Sequence, residues 1–318
     1  MDNVVISVTE TEQAVGALRR DLAQCDSALA GVAPVLSHLL ATNGQALVSE
    51  HLVARMRGML GNLAGSMLSA EAETTAGSKH IDSSRLNGLS NRLAGSSILV
   101  SHCYALAMEG QLTADLEERC GIDQVLTLLL QELIASTDDS IAELAMATMS
   151  AQARYVQAQR RMSLPIGELP AELFHEAVSL WRSSASEGDQ SELDRAITNL
   201  RGKFDEGNSR LGLLTRLVGA MGNGMRAALD LEHAGFALFA TALARTSKQP
   251  RELAVLSCHE RQATRLAIAL RAAGLKPEEV RKQFLMIQND LTLPEGADLV
   301  APETAAAMLA GTYSEPVR

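Results

Sequence analysis

The sequence predicts an all-α fold, and three observations predict it. Hydrophobic residues make up 47% of the 318 residues, yet aromatic ones only 3%, with one Trp, three Tyr and five Phe. The apolar content is therefore mostly Ala, Leu, Val and Met; Ala and Leu head the helix-propensity scale, while residues that favour pleated sheet are scarce. Third, apolar residues recur at helical spacing, most legibly at Leu52, Val53, Met56, Met59, Leu60, Leu63 and Met67. The expected architecture is an amino-terminal helical bundle over residues 1–162, stacked antiparallel helix pairs over 163–290, and a partly ordered tail over 291–318.

Taken in order, Val4-Val5-Ile6-Ser7-Val8 reads as a loose or strand-like lead, and Thr9 or Thr11 as the cap of a long helix toward His38 that Asn43-Gly44 stops. The next helix, from about Ser49 to Ala70, carries the apolar face above. Its back face is a stripe of small residues, Ala54, Gly58, Gly61 and Gly65. Each interior Gly costs about 0.5–1 kcal/mol relative to Ala, so something is expected to approach closely: another helix of the chain, or a second copy in a homo-oligomer. Further helices are expected over about Ser83–Glu109, Thr113–Ser136 and Asp138–Met162, the last burying Ile141, Leu144, Ala145, Met149 and Val156.

Two prolines in Leu164-Pro165-Ile166-Gly167-Glu168-Leu169-Pro170 fix φ and remove donors, so the main domain boundary is expected there. Pro170 suits the first position of a helix with Glu172 near its positive end and Leu173, Phe174, Ala177, Val178 and Trp181 inward. A turn at Glu187-Gly188-Asp189 leads to a helix toward Phe204, and Gly219-Ala220-Met221-Gly222-Asn223-Gly224 reads as a kink or loop. A helix over Leu231–Thr246, a turn to Pro250, a helical stretch through Arg271, Gly274 as a cap and Pro277 opening a helix to Asn289 complete the pattern.

No internal repeat of fixed period is present. The run Leu238-Phe239-Ala240 to Leu243, followed by Leu266-Ala267-Ile268-Ala269-Leu270-Arg271-Ala272-Ala273-Gly274-Leu275, resembles a bacterial family of HEAT-like helical proteins of unknown function. Glu168-Leu169-Pro170-Ala171-Glu172-Leu173 before a helix fits the same resemblance, which covers the second half of the chain. It implies an irregular stack of helix pairs and no transferable activity.

A net charge of −10 makes a general nucleic-acid binder a poor reading. Leu211–Met225 is interrupted by Arg216 and by five Gly or Asn positions, so no transmembrane span is expected. Met1-Asp2-Asn3 lacks a secretory start, from which a cytoplasmic location is expected. Cys25, Cys103, Cys120 and Cys258 have no paired spacing, so they read as small core residues rather than zinc ligands or a disulfide framework. His102-Cys103 and Glu232-His233 are sequence neighbours whose side chains diverge by about 100° on a helix, and neither has a ligand-type partner one turn away. No metal, cofactor or catalytic signature is expected.

Two features invite chemistry. Ser257 to Thr264 resembles the phosphoacceptor segment of sensor histidine kinases, which implies a phosphoacceptor role for His259. Such a residue faces solvent, whereas a helical reading puts His259 on one face with Ala263, Leu266 and Leu270, and no glycine-rich nucleotide segment accompanies it. Residues 245–282 hold nine Lys or Arg against four Glu, an excess of +5 in an acidic chain. Arg261 and Arg265 fall one turn apart opposite the apolar stripe, and Arg281-Lys282 follow on the next helix. These four are the candidate contact for an acidic segment of a protein partner; a solvated helix exterior is the plainer alternative. Arg154, Gln157 and Arg161 at a helix carboxyl end need only a dipole role.

The sequence thus reads as a non-enzymatic cytoplasmic adaptor or regulatory scaffold that binds a protein partner through helical surfaces. The alternatives are a small-ligand or signalling protein using His259 or a pocket near Gly219–Gly224, and a peripheral membrane protein with amphipathic helices.

Overall fold

The computed structural model describes residues 8–41, 50–74, 82–184 and 190–312. Among these residues the fold is all-α, with no strand. The helices are α1 (Val8–Ala41), α2 (Glu50–Thr74), α3 (Ser83–Ala94), α4 (Ser97–Cys120), α5 (Leu128–Ile134), α6 (Asp139–Arg160), α7 (Ala171–Arg182), α8 (Gln190–Lys203), α9 (Arg210–Ala220), α10 (Leu231–Ser247), α11 (Arg251–Ser257), α12 (Ala263–Ala272), α13 (Pro277–Ile287) and α14 (Pro302–Thr312). Short 3-10 helices occur at Ile166–Glu168, Glu206–Asn208, Gly222–Leu229, Glu260–Gln262 and Ala297–Leu299. The expected lead over residues 4–7, the Asn43-Gly44 stop and the Glu187-Gly188-Asp189 turn lie outside the described residues.

Several elements differ from the sequence reading for local reasons. α1 starts ahead of Thr9 and Thr11, which therefore sit within its first turns instead of capping it. The helix expected over 83–109 is two, parted at Gly95-Ser96, where the Gly95 N–H bonds the carbonyls of Asn91 and Arg92 and Ser96 Oγ donates to Glu176 at 2.9 Å. α4 then runs straight through the turn expected before Thr113. It ends at a turn tied by Asp123, whose Oδ1 accepts the N–H groups of Val125 at 2.7 Å and Leu126 at 2.8 Å. The stretch expected to be helical through Arg271 breaks after Ser257 and resumes at Ala263.

Contacts divide the chain into two compact units: residues 1–31, 111–132 and 221–318 form one, and residues 32–110 and 133–220 the other. These units do not follow sequence order, so the expected division into 1–162, 163–290 and 291–318 is not the one the contacts draw. The reason at the proline segment is specific. Leu164 and Leu169 are buried, and the Leu164 N–H donates to Asn62 Oδ1 at 2.9 Å, so the segment is a turn inside the second unit.

The second unit is organised by α2. Every residue of its expected apolar face is buried, and it packs against α3 and α8, while α6 packs against α9. α7 buries Leu173, Phe174, Ala177, Val178 and Trp181 as expected. On α6, Ala145 and Val156 are buried, whereas Ile141, Leu144 and Met149 are only half-buried; the interior also takes Thr148, Gln152, Tyr155 and Gln159. Of these, Gln152 and Tyr155 receive Arg210. Its side chain is 3% exposed and pairs with both oxygens of Glu109, 1% exposed. Its Nε donates to Gln152 Oε1 at 2.6 Å, and its guanidinium lies 3.7 Å from the Tyr155 ring centroid. A charge taken this far from water is tolerated only when paired and hydrogen-bonded, as here.

In the first unit, α12 is the centre. α10, α11, α13 and α14 all pack on it, and Thr264 through Arg271 are all buried. A helix enclosed on every side has no solvent face. Linear stacking would give each repeat contact with its sequence neighbours alone, and these contacts instead ring one helix. The segment expected as a tail contributes α14, with Ala305, Met308 and Leu309 buried. α10 is broken at Gly235, which adopts φ 70° and ψ 165°. A Cβ there would run into the Thr127 side chain, so this glycine meets both a left-handed backbone and a close approach.

Candidate functional site

A concave site lies in the second unit, between the carboxyl half of α2 and α8. It is a cleft of about 550 Å³ lined by Ala70, Glu73, Asp194, Arg195, Ala196, Thr198, Asn199, Leu200 and Lys203. Its making is legible residue by residue. α8 turns Leu193, Ala196 and Ile197 inward against the unit, and Ala70 and Ala196 are too small to fill the angle between the two helices, which leaves a trough. The lips are polar and exposed: Glu73 on α2, and Asp194, Arg195, Thr198, Asn199 and Lys203 on α8. Asp194 is already engaged, accepting from Arg182 Nη2 at 2.6 Å. Arg195 and Lys203 carry no ion pair among the described residues.

The basic region of residues 245–282 is arranged differently from the expected exposed face. Arg265 is wholly buried, 0% exposed; it pairs with Asp26 on α1 and donates from Nη1 to Gln249 Oε1 at 2.9 Å. Its inward aim follows from the enclosure of α12, which leaves no face opposite an apolar stripe. Arg271 is buried too, donating to the carbonyls of Val300 at 2.7 Å and of Leu275. Lys282 meets Asp230 at 3.1 Å and Glu232 at 3.4 Å, and the Asp230 carboxylate holds its ammonium above the ordinary range. Arg261 and Arg281 are exposed. The four candidates therefore do not form one free basic surface.

His259 is likewise not on a helical face with Ala263, Leu266 and Leu270. It has extended backbone angles and caps the 3-10 helix Glu260–Gln262, its Nδ1 accepting the Arg261 N–H at 3.2 Å. Burial lowers its pKa, opposed by Glu260 and assisted by Arg261. A neutral ring is what an accepting cap requires. Around Gly219–Gly224, the chain passes from α9 into the 3-10 helix Gly222–Leu229, whose Ala228 and Leu229 are buried.

The small-residue stripe on α2 is approached at one point. A Cβ on Gly58 would lie 2.6 Å from Met162 Cβ, whereas Gly61 has nothing within 4 Å and Gly65 has only Leu86 Cδ1 at 3.8 Å. Ala54 is exposed. Among the described residues, close packing thus accounts for Gly58 alone.

Cys25, Cys103 and Cys258 are buried, as expected, but Cys120 is exposed at the end of α4. Burial pushes the thiols of Cys103 and Cys258 up to about 12, which keeps them protonated at neutral pH. His102 and Cys103 are both interior, and His233 Nε2 sits 3.1 Å from Glu132 rather than beside a ligand set. No group of three or more metal-type side chains is assembled among the described residues, and no single described helix is long and apolar enough to cross a membrane.

The cleft was not among the sequence-derived candidates. One wall is visible in hindsight, because Arg195, Asn199 and Lys203 recur every four residues on the polar side of an amphipathic helix. The other wall comes from α2, more than a hundred residues earlier, and only the tertiary packing of α2 on α8 joins them. In comparisons with known proteins, no family model, no curated protein and no solved structure matches this chain.

Proposed function

We infer that this chain is a helical scaffold that binds a protein partner, and that the α2–α8 cleft is its contact surface. The observation that carries this reading is the form of the cleft: about 550 Å³ of space whose lips are exposed side chains on two helices. Small-molecule sites enclose most of the ligand between largely apolar walls. An open trough with a narrow alanine floor and polar lips suits a segment of another protein laid along it, in the manner of helix-in-groove recognition. The interior polar residues serve this by rigidity: Glu109, Gln152, Tyr155 and Arg210 are tied to one another inside the unit that bears the cleft.

The test is affinity capture of the tagged full chain from its native cells at moderate salt, beside a Thr198→Trp variant that fills the trough from an exposed position. The expected result is a stoichiometric protein retained by the unaltered chain and lost with Thr198→Trp, at unchanged helical content. Capture of nothing stoichiometric, or equal retention by the variant, overturns the reading.

A further inference from the structure

We propose that the α2–α8 cleft selects an acidic helical segment, with Arg195 and Lys203 meeting its carboxylates; this rests on the cleft being the protein-binding surface. Eight residues separate the two cations on α8, which places them ~12 Å apart along its axis. Asn199 lies midway between them on the same lip, offering an amide that both donates and accepts.

The other charges in the cleft sharpen the choice. Asp194 is neutralised by Arg182 at 2.6 Å, so it does not cancel Arg195. Neither Arg195 nor Lys203 is ion-paired among the described residues. Both are exposed, so a partner's carboxylates can reach them without displacing an internal bond. Glu73 stands on the opposite, α2 lip. It repels a carboxylate from that side, so it orients the segment with its acidic stripe toward α8 and a neutral or basic stripe toward α2. Opposed lips of unlike charge fix direction as well as attraction. Ala70 and Ala196 on the floor admit the small side chains of the segment's contact line.

The probe is a fluorescein-labelled, alanine-rich helix of about 20 residues with two Glu eight residues apart, compared with its Gln counterpart. Fluorescence anisotropy with the full chain is read at about 10 mM salt, where screening extends to about 30 Å, and again at higher salt. The expected result is binding of the Glu helix that falls with salt, and weak binding of the Gln helix. Reversing both cations, Arg195→Glu with Lys203→Glu, weakens the Glu helix by about tenfold. Arg201→Glu makes one such reversal on α8 outside the cleft and alters binding by less than about twofold. Equal binding of the two helices, no binding, or an equal loss per reversal with Arg201→Glu overturns the inference. The two claims separate in the capture experiment: a partner lost with Thr198→Trp but kept by the double reversal leaves the cleft as the surface and removes its acidic selectivity.

Discussion

Two regions of this protein are rich in basic residues on helices, and they use them in opposite ways. Around α12, three of the cations are engaged by the fold: Arg265 pairs with Asp26, Arg271 bonds two carbonyls, and Lys282 meets Asp230 and Glu232. On α8, Arg195 and Lys203 are exposed on the lip of a cleft and carry no ion pair among the described residues. The difference lies in how many sides of each helix are covered. α12 is ringed by other helices, so an arginine on it has only the interior to enter. α8 is covered on one face, so its polar stripe stays in water. Local charge excess is therefore a poor guide to a free binding face; the exposure of the helix that carries it decides.

The greatest loss of stability is expected at Arg265. Asp26→Ala removes the carboxylate that pairs with a guanidinium 0% exposed, for which a loss of about 3–5 kcal/mol is expected in chemical denaturation. A loss below about 1 kcal/mol would mean that Arg265 is not held as described. Gly235→Ala comes next, because a Cβ there meets Thr127 at a φ of 70°. Destabilisation of about 2 kcal/mol or more is expected, read as a lower midpoint, while Gly61→Ala, with open space at its Cβ, stays within about 0.5 kcal/mol of the starting stability.

His259 provides a pH-dependent test of the same region. Its folded pKa lies below the ordinary 6.5 because it is buried, so the unfolded chain takes up the proton first. Stability from this group is present above 6.5 and is lost as pH falls through the folded value. The expected outcome is a decline of the unfolding midpoint below pH 6.5 that is shallower in His259→Gln; identical slopes would contradict it. The smallest effect belongs to α8. Arg195→Glu should change stability by no more than about 0.5 kcal/mol, since no bond of the fold is lost, while its effect on binding the acidic helix is measurable.

Much of the fold was legible. The apolar faces of α2 and α7 are buried at the positions the spacing predicts, because each helix covers one side of a single unit and so shows clean periodicity. Pro277 opens α13 and Gly274, at φ 81°, follows α12 as expected. What was illegible depended on non-local packing. Gln152 looks like a surface residue until Arg210 is brought beside α6 from α9, and Gln159 until Met59 is brought there from α2. The break after Ser257 carries neither Gly nor Pro to announce it, so the spacing alone puts Arg265 on a helical face that the folded chain does not have. The cleft required α2 and α8 to meet, which the sequence of neither helix states.

A protein partner lying along α8, as proposed, can be trapped covalently. The most direct measurement places a photo-crosslinking amino acid at Asn199 and, separately, at Arg261 and Arg281, each exposed, and irradiates the tagged chain in its native cells. The expected result is a discrete protein adduct from position 199 and none from 261 or 281. An adduct from the latter positions with none from 199 would contradict it.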